Sequence, residues 1–217
     1  MAIALLSACT SLEIEPVATG ALLGNVQSSE PLIYPPAPAE ARFIHEATIL
    51  GSADVVPETS SDRFQHFATG YGRRVETFGK PFGIVVRHGR IYVSDTVRRL
   101  VHVLDRASGD YRQIGTQEPG RLTKPLGLAV DASGRVYVCD ATSRRVLIYS
   151  SGGDFVAAVG GADHLKRPSS VAVSPDGSRI YVLDTGGVDS EQHRIVVFGA
   201  DGHVSKVIGR RGAGAGQ

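Results

Sequence analysis

From residue 80 onward the chain alternates short apolar runs with turns of Gly, Asp and Ser. The stretch 124–160 shows the pattern most plainly. Leu126–Val130 is apolar and ends at Asp131-Ala-Ser-Gly134, and Arg135–Cys139 alternates and ends at Asp140. A polar loop leads to Arg145–Tyr149, and Ser150–Asp154 turns the chain into Phe155–Val159, which stops at Gly160. Runs rich in Val, Ile, Tyr and Phe, cut by such turns, predict four strands in an antiparallel meander. A single twisted sheet of this kind cannot bury both of its faces, so copies of it are expected on either side.

The copies are present. Lys80-Pro-Phe-Gly-Ile-Val-Val86 precedes Lys124-Pro-Leu-Gly-Leu-Ala-Val130, and Arg167-Pro-Ser-Ser-Val-Ala-Val173 follows it. Pro81, Pro125 and Pro168 stand about 44 residues apart, the length of one propeller blade. Second strands repeat as Ile91–Asp95, Val136–Asp140 and Ile180–Asp184, and third strands as Val101–Leu104, Val146–Tyr149 and Ile195–Phe198. Each unit closes on an apolar residue and Gly: Ile114-Gly115, Val159-Gly160 and Ile208-Gly209. The expected fold is all-β, a β-propeller of four-stranded antiparallel blades at about 78–115, 116–160 and 161–209. Arg42–Leu50 reads as a strand without a hairpin partner, suited to closing the ring from the other end of the chain. Between it and the first blade, Ser61–Phe67 is expected to be a short helix capped by Ser61 or Asp62, with Phe64 and Phe67 on its buried side.

Composition refines this picture in one respect. The 217 residues carry a formal net charge of +1, but the charge is unevenly placed. Residues 1–70 hold Arg42 and Arg63 against eight acids, whereas residues 71–125 hold eleven Lys and Arg against five acids. The cations therefore concentrate in the first blade and its exit. Of the two cysteines, Cys139 sits inside a strand and reads as a small buried apolar residue.

The elements Pro-x-Gly-φ-Ala-Val, φ-Tyr-Val-x-Asp and Arg-φ-x-φ-Phe, where φ is apolar, together resemble the NHL repeat of six-bladed propellers. The resemblance implies a six-bladed ring when complete, of which about three blades are present; residues 42–217 would then form a partial propeller. It specifies fold strongly and function weakly, because propellers host binding, scaffolding and several enzyme chemistries. The Asn that the family carries after the second strand is absent, and its Arg is matched at Arg99, Arg145 and Arg194, the first one residue out of step. At the N-terminus, Leu6-Ser7-Ala8-Cys9 resembles the lipobox of bacterial lipoproteins. That resemblance implies acylation of Cys9 and removal of residues 1–8 as a signal peptide, here truncated because no basic region precedes its apolar run. Thr10 after Cys9 implies the outer membrane in a Gram-negative cell. Residues 9–41, rich in Pro, Ala, Ser and Gly, read as an extended tether.

In a propeller of this kind the loops entering the innermost strands share one face with the loops between second and third strands. That face would carry Lys80, Lys124 and Arg167, one before each proline, together with Arg98, Arg99, Arg144, Arg145 and Arg194. Cations around a channel mouth attract an anionic ligand. Two readings stay open for the arginines: ligand contact, or pairing with the strand-end carboxylates Asp95, Asp140 and Asp184. Metal-dependent lactonase and lyase propellers place ligands at the channel-facing starts of inner strands; here these positions are Gly83, Gly127 and Ser170, so no metal, cofactor or catalytic residue is assigned. Seven histidines show no ligand spacing, and Asp189 with Glu191 reads as a solvated acidic loop. The expected function is a non-enzymatic, envelope-anchored binding or scaffold module for a protein, peptide or anionic envelope polymer, with the membrane reached through the lipid alone. The alternative is a metal-dependent propeller hydrolase or lyase with its ligands in further blades. Export argues against nucleic acid as a partner.

Overall fold

The computed structural model describes residues 32–187, 190 and 192–212. Cys9, Asp189 and Glu191, with the lipid and acidic loop expected there, lie outside the described residues. The chain divides into two compact units, 1–48 and 49–217. In the first, strand β1 (Ile33–Tyr34) pairs antiparallel with β2 (Phe43–Ile44). The Arg42–Leu50 stretch therefore supplies a short partner for β1, and none of the four-stranded sheets includes it.

The second unit opens with a 3-10 turn at Ser52–Asp54 and helix α1 (Ser60–Thr69). Thr59, two residues before the expected Ser61, caps the helix. Its hydroxyl oxygen accepts from the Asp62 backbone N–H while Asp62 returns a bond to the Thr59 backbone, a capping box. Phe64 and Phe67 do not pack inward as the sequence suggested: they are 70% and 86% exposed. Their spacing is that of an amphipathic face, but no residue of α1 is buried.

Three four-stranded antiparallel sheets follow, each a consecutive meander. Blade one is β3 (Pro81–Arg87), β4 (Arg90–Asp95), β5 (Leu100–Asp105) and β6 (Asp110–Ile114). Blade two is β7 (Pro125–Val130), β8 (Val136–Asp140), β9 (Arg145–Tyr149) and β10 (Phe155–Gly160). Blade three is β11 (Pro168–Val173), β12 (Arg179–Asp184), β13 (Arg194–Gly199) and β14 (Val204–Ile208). The first strands β3, β7 and β11 contact one another in succession, so the sheets are consecutive blades of a β-propeller with these strands innermost. Among the described residues no helix is long and apolar enough to cross a membrane.

Two apolar clusters hold the blades together, and the alternation along each strand assigns their members. Leu128, Val136, Val138, Leu147 and Tyr149 face blade one, meeting Tyr92, Val101 and Val103. The intervening residues Ala129, Tyr137, Cys139, Val146 and Ile148 face blade three, meeting Val171, Ile180, Val182, Val196 and Phe198. Both faces of blade two are thus buried, which suits strands whose successive side chains point to opposite faces and are apolar on both. The leads into blades two and three drop one fully buried leucine each, Leu122 and Leu165, into these clusters.

The innermost strands approach closely. A Cβ added to Gly127 would lie 2.7 Å from the Ser170 Cα, and one added to Gly83 would lie 3.0 Å from a Leu128 methyl. These glycines face the next inner strand. Their lack of a side chain is a packing requirement of the inner strands.

Candidate functional site

The residues singled out at one end of the blades are organised by three buried carboxylates. Asp95, Asp140 and Asp184 end the second strands and are all fully buried. Each reaches across to the loop that enters its blade. Asp95 accepts from the backbone N–H of Gly79 at 2.5 Å and Lys80 at 3.0 Å. Asp140 accepts from Thr123 at 2.6 Å and Lys124 at 2.8 Å. Asp184 accepts from Lys166 at 3.1 Å and Arg167 at 2.7 Å.

The same carboxylates tie down the loop between second and third strands. Asp95 accepts from Val97 and Arg98, and Asp140 from Thr142 and Ser143, at 2.9 to 3.1 Å. The residue after each Asp completes the clamp, with Thr96, Ala141 and Thr185 donating to the carbonyls of Lys80, Lys124 and Arg167. A buried carboxylate surrounded by backbone N–H donors is stabilised without a cationic partner. For Asp95, burial pushes the carboxyl up, but the N–H bonds from Arg98, Gly79, Lys80 and Val97 outweigh it and hold it below the usual carboxylate range.

The expectation that each arginine pairs with its blade's Asp is met in blade three alone. Arg194 Nε lies 3.5 Å from Asp184 Oδ2, and its Nη2 donates to the His164 carbonyl at 2.8 Å. Strand register shows the same one-residue offset of Arg99. Asp95 lies opposite Leu100, Asp140 opposite Arg145 and Asp184 opposite Arg194. The counterpart of Arg99 is therefore Arg144, and the two share a left-handed backbone, with φ of 59° and 55°. Arg98 approaches Glu76 at 4.0 Å.

What remains is a row of equivalent cations. Lys80, Lys124 and Arg167 are exposed at the starts of three adjacent inner strands, their backbones clamped identically. No described carboxylate pairs with their side chains or with those of Arg99, Arg144 and Arg145. At the opposite end of the blades five of the six turns carry an acid, Asp105, Asp131, Asp154, Asp176 and Asp201, and the β3–β4 turn carries Arg87, His88 and Arg90. Asp131 is buried, with the Tyr137 hydroxyl donating to it at 3.0 Å. Among the described residues no three His, Cys, Asp or Glu side chains converge as metal ligands would.

One buried group escaped the sequence reading. His102 is fully buried on β5, its Nδ1 2.8 Å from the Tyr111 hydroxyl and its Nε2 3.5 Å from Asp95 Oδ2. Phe78 stacks edge-on against it at 5.0 Å. The register places His102 opposite Val93, where the other blades put Leu147 and Val196 opposite Val138 and Val182. A polar residue at a repeat position that is otherwise apolar was the available signal. Burial holds the imidazole below its usual value, against the pull of Asp95.

The clamped lead-in, the φ-Tyr-Val-x-Asp strand and its return strand make up a recognised unit. Residues 122–149 match the NHL repeat. The span runs from Leu122 through β9 and contains Lys124, Asp140, Arg144 and Arg145. No curated protein matches the sequence. Among solved structures the chain is similar to hydrazine synthase of Kuenenia stuttgartiensis, at 22% identity and a TM-score of 0.49 over 63% of this chain and 38% of that one. It is also similar to virginiamycin B lyase of Staphylococcus aureus, at 15% identity and a TM-score of 0.48 over 59% and 41% of the two chains. The WD40 repeats of RRP9 give 16% identity and a TM-score of 0.48 over 59% and 38%. The chain spans about two fifths of the length of these structures.

Proposed function

We propose that this protein is a propeller-type binding module whose NHL-like blades present a cationic loop end to an anionic ligand. The ligand is a protein, peptide or envelope polymer bearing carboxylates or phosphates, and acylated Cys9 holds the module at the bacterial cell envelope. The observation that carries the reading is the row formed by Lys80, Lys124 and Arg167. Three adjacent inner strands each begin with a cation whose backbone is fixed by a buried Asp and whose side chain is left unpaired. Fixing the backbone lowers the ordering cost of binding, and alignment of like charges focuses the potential that recruits an anion.

The reading is tested with poly-L-glutamate as the probe and a neutral dextran of similar length as the control. Binding of the polyanion that weakens steadily with salt, with none of the dextran, is expected. Equal retention of both would contradict the proposal. For the anchor, Cys9→Ala should move the protein from the membrane fraction to the soluble fraction, and unchanged membrane retention would refute lipidation.

A further inference from the structure

Backbone conformation singles out two of the cations. The left-handed region favours glycine, and the turns opposite the cationic end use it: Gly109, Gly134, Gly153, Gly177 and Gly202 all have positive φ. The loops between second and third strands do not. Arg99 and Arg144 stand there at φ of 59° and 55°. Blade one holds both kinds of turn. Arg99 N–H donates to the Asp95 carbonyl at 2.8 Å and Gly109 N–H to the Asp105 carbonyl at 2.9 Å, so one turn shape carries Arg at the cationic end and Gly at the other.

Nothing in the described fold accounts for either guanidinium. Both arginines are exposed, and neither side chain has an ion pair or hydrogen bond among the described residues. Blade two has a neighbour on each side, and Arg144 is free there all the same. A strained backbone that holds an unpaired charge points to a role outside the fold.

Each of these arginines shares its anchor with a lysine. Asp95 Oδ1 accepts from the backbone N–H of Lys80 at 3.0 Å and of Arg98, next to Arg99, at 2.9 Å. Asp140 accepts from Lys124 at 2.8 Å and from Ser143, next to Arg144, at 2.9 Å. One buried carboxylate thus fixes the roots of one ammonium and one guanidinium, and both side chains are long enough to meet on a single anionic group. In blade three the matching position, before Arg194, is His193. Two cations suit a group with two charges. A phosphate monoester carries about −1.5 to −2 at pH 7 and presents three acceptor oxygens, whereas a carboxylate carries a single charge. The guanidinium adds a bidentate fork that an ammonium lacks.

We propose that Lys80 with Arg99, and Lys124 with Arg144, form two phosphate subsites, and that the ligand of the cationic end bears phosphate monoesters. The inference rests on the binding reading above and narrows it from polyanions in general to phosphate-bearing ones.

Three probes test it on the full chain: a phosphoserine–glycine peptide, the same peptide with glutamate for phosphoserine, and a dextran phosphate of similar charge. At least one phosphate probe should bind about fivefold or more tighter than the glutamate peptide. Tighter binding of the phosphopeptide alone assigns a peptide carrier, and of the dextran phosphate alone a glycan carrier. Arg99→Gly with Arg144→Gly should bring the probes to within about twofold of one another while melting at or above the wild-type temperature, because glycine relieves the left-handed strain. Arg106→Ala with Arg179→Ala, which removes equal charge at the opposite end, should keep the preference. If the wild type bound none of the probes, the binding reading would fall and this inference with it. Binding without a phosphate preference, a preference that survives the glycine variant, or a glycine variant that melts lower would overturn the subsites alone.

Discussion

Asp140 illustrates how a single residue organises this fold. Its carboxylate is fully buried and accepts four backbone N–H groups from two loops. Asp140→Ala would strand those donors, and a destabilisation of about 3 kcal/mol or more is expected in urea unfolding. Asp95 adds a pH dependence. Its folded-state carboxyl is held below the usual range, so its stabilisation is complete above about pH 5 and is lost as pH falls through that lowered value. His102 acts in the window above. Burial lowers its folded-state value, so the unfolded chain takes the proton first, near pH 6.5 in an unperturbed imidazole, and stability declines as pH falls below that point. His102→Leu, which installs the side chain of Leu147, should flatten the melting temperature between about pH 7 and 5; an unchanged slope would contradict this. The Cys139 thiol, fully buried and pushed up to about 12 by burial, should resist maleimide until the chain unfolds. The second-strand Asp was legible in the sequence as a repeat position, but its role was not. Backbone donors leave no mark on residue identity, so the sequence suggested arginine partners where only Arg194 supplies one.

Strands and helix were legible to different degrees. The four-strand meander of blade two was readable from alternation and turn residues because both of its faces meet near-identical neighbours, which leaves little for tertiary context to override. Helix α1 was readable as an element, since a Thr59-to-Asp62 box sets its start, but not in its orientation. Phe64 and Phe67 have helical spacing, and spacing does not say whether a neighbour exists. Replacing either with Ser should change stability by no more than about 0.5 kcal/mol. Gly127 behaves in the opposite way. A Cβ there would meet the Ser170 backbone at 2.7 Å, so Gly127→Ala should cost about 1–3 kcal/mol by forcing the inner strands apart. Urea unfolding of these variants side by side would reverse that order if the blade packing were wrong.

At the scale of the molecule, the blades form a nearest-neighbour stack, with blade two buried on both sides and blades one and three each holding an open inner face. Stability in such an array is a sum of blade and interface terms, so covering the open faces would add to it. The stack also aligns Lys80, Lys124 and Arg167 along one end, and no single blade could do so. That alignment is the central claim. Its most direct test compares polyglutamate binding by two triple variants that remove equal charge from opposite ends: Lys80, Lys124 and Arg167 to Ala, and Arg106, Arg135 and Arg179 to Ala. The first should lose at least about tenfold in affinity with an unchanged melt, and the second should bind like wild type. Equal losses in the two would show that binding follows net charge, and would contradict a site built by the clamped row.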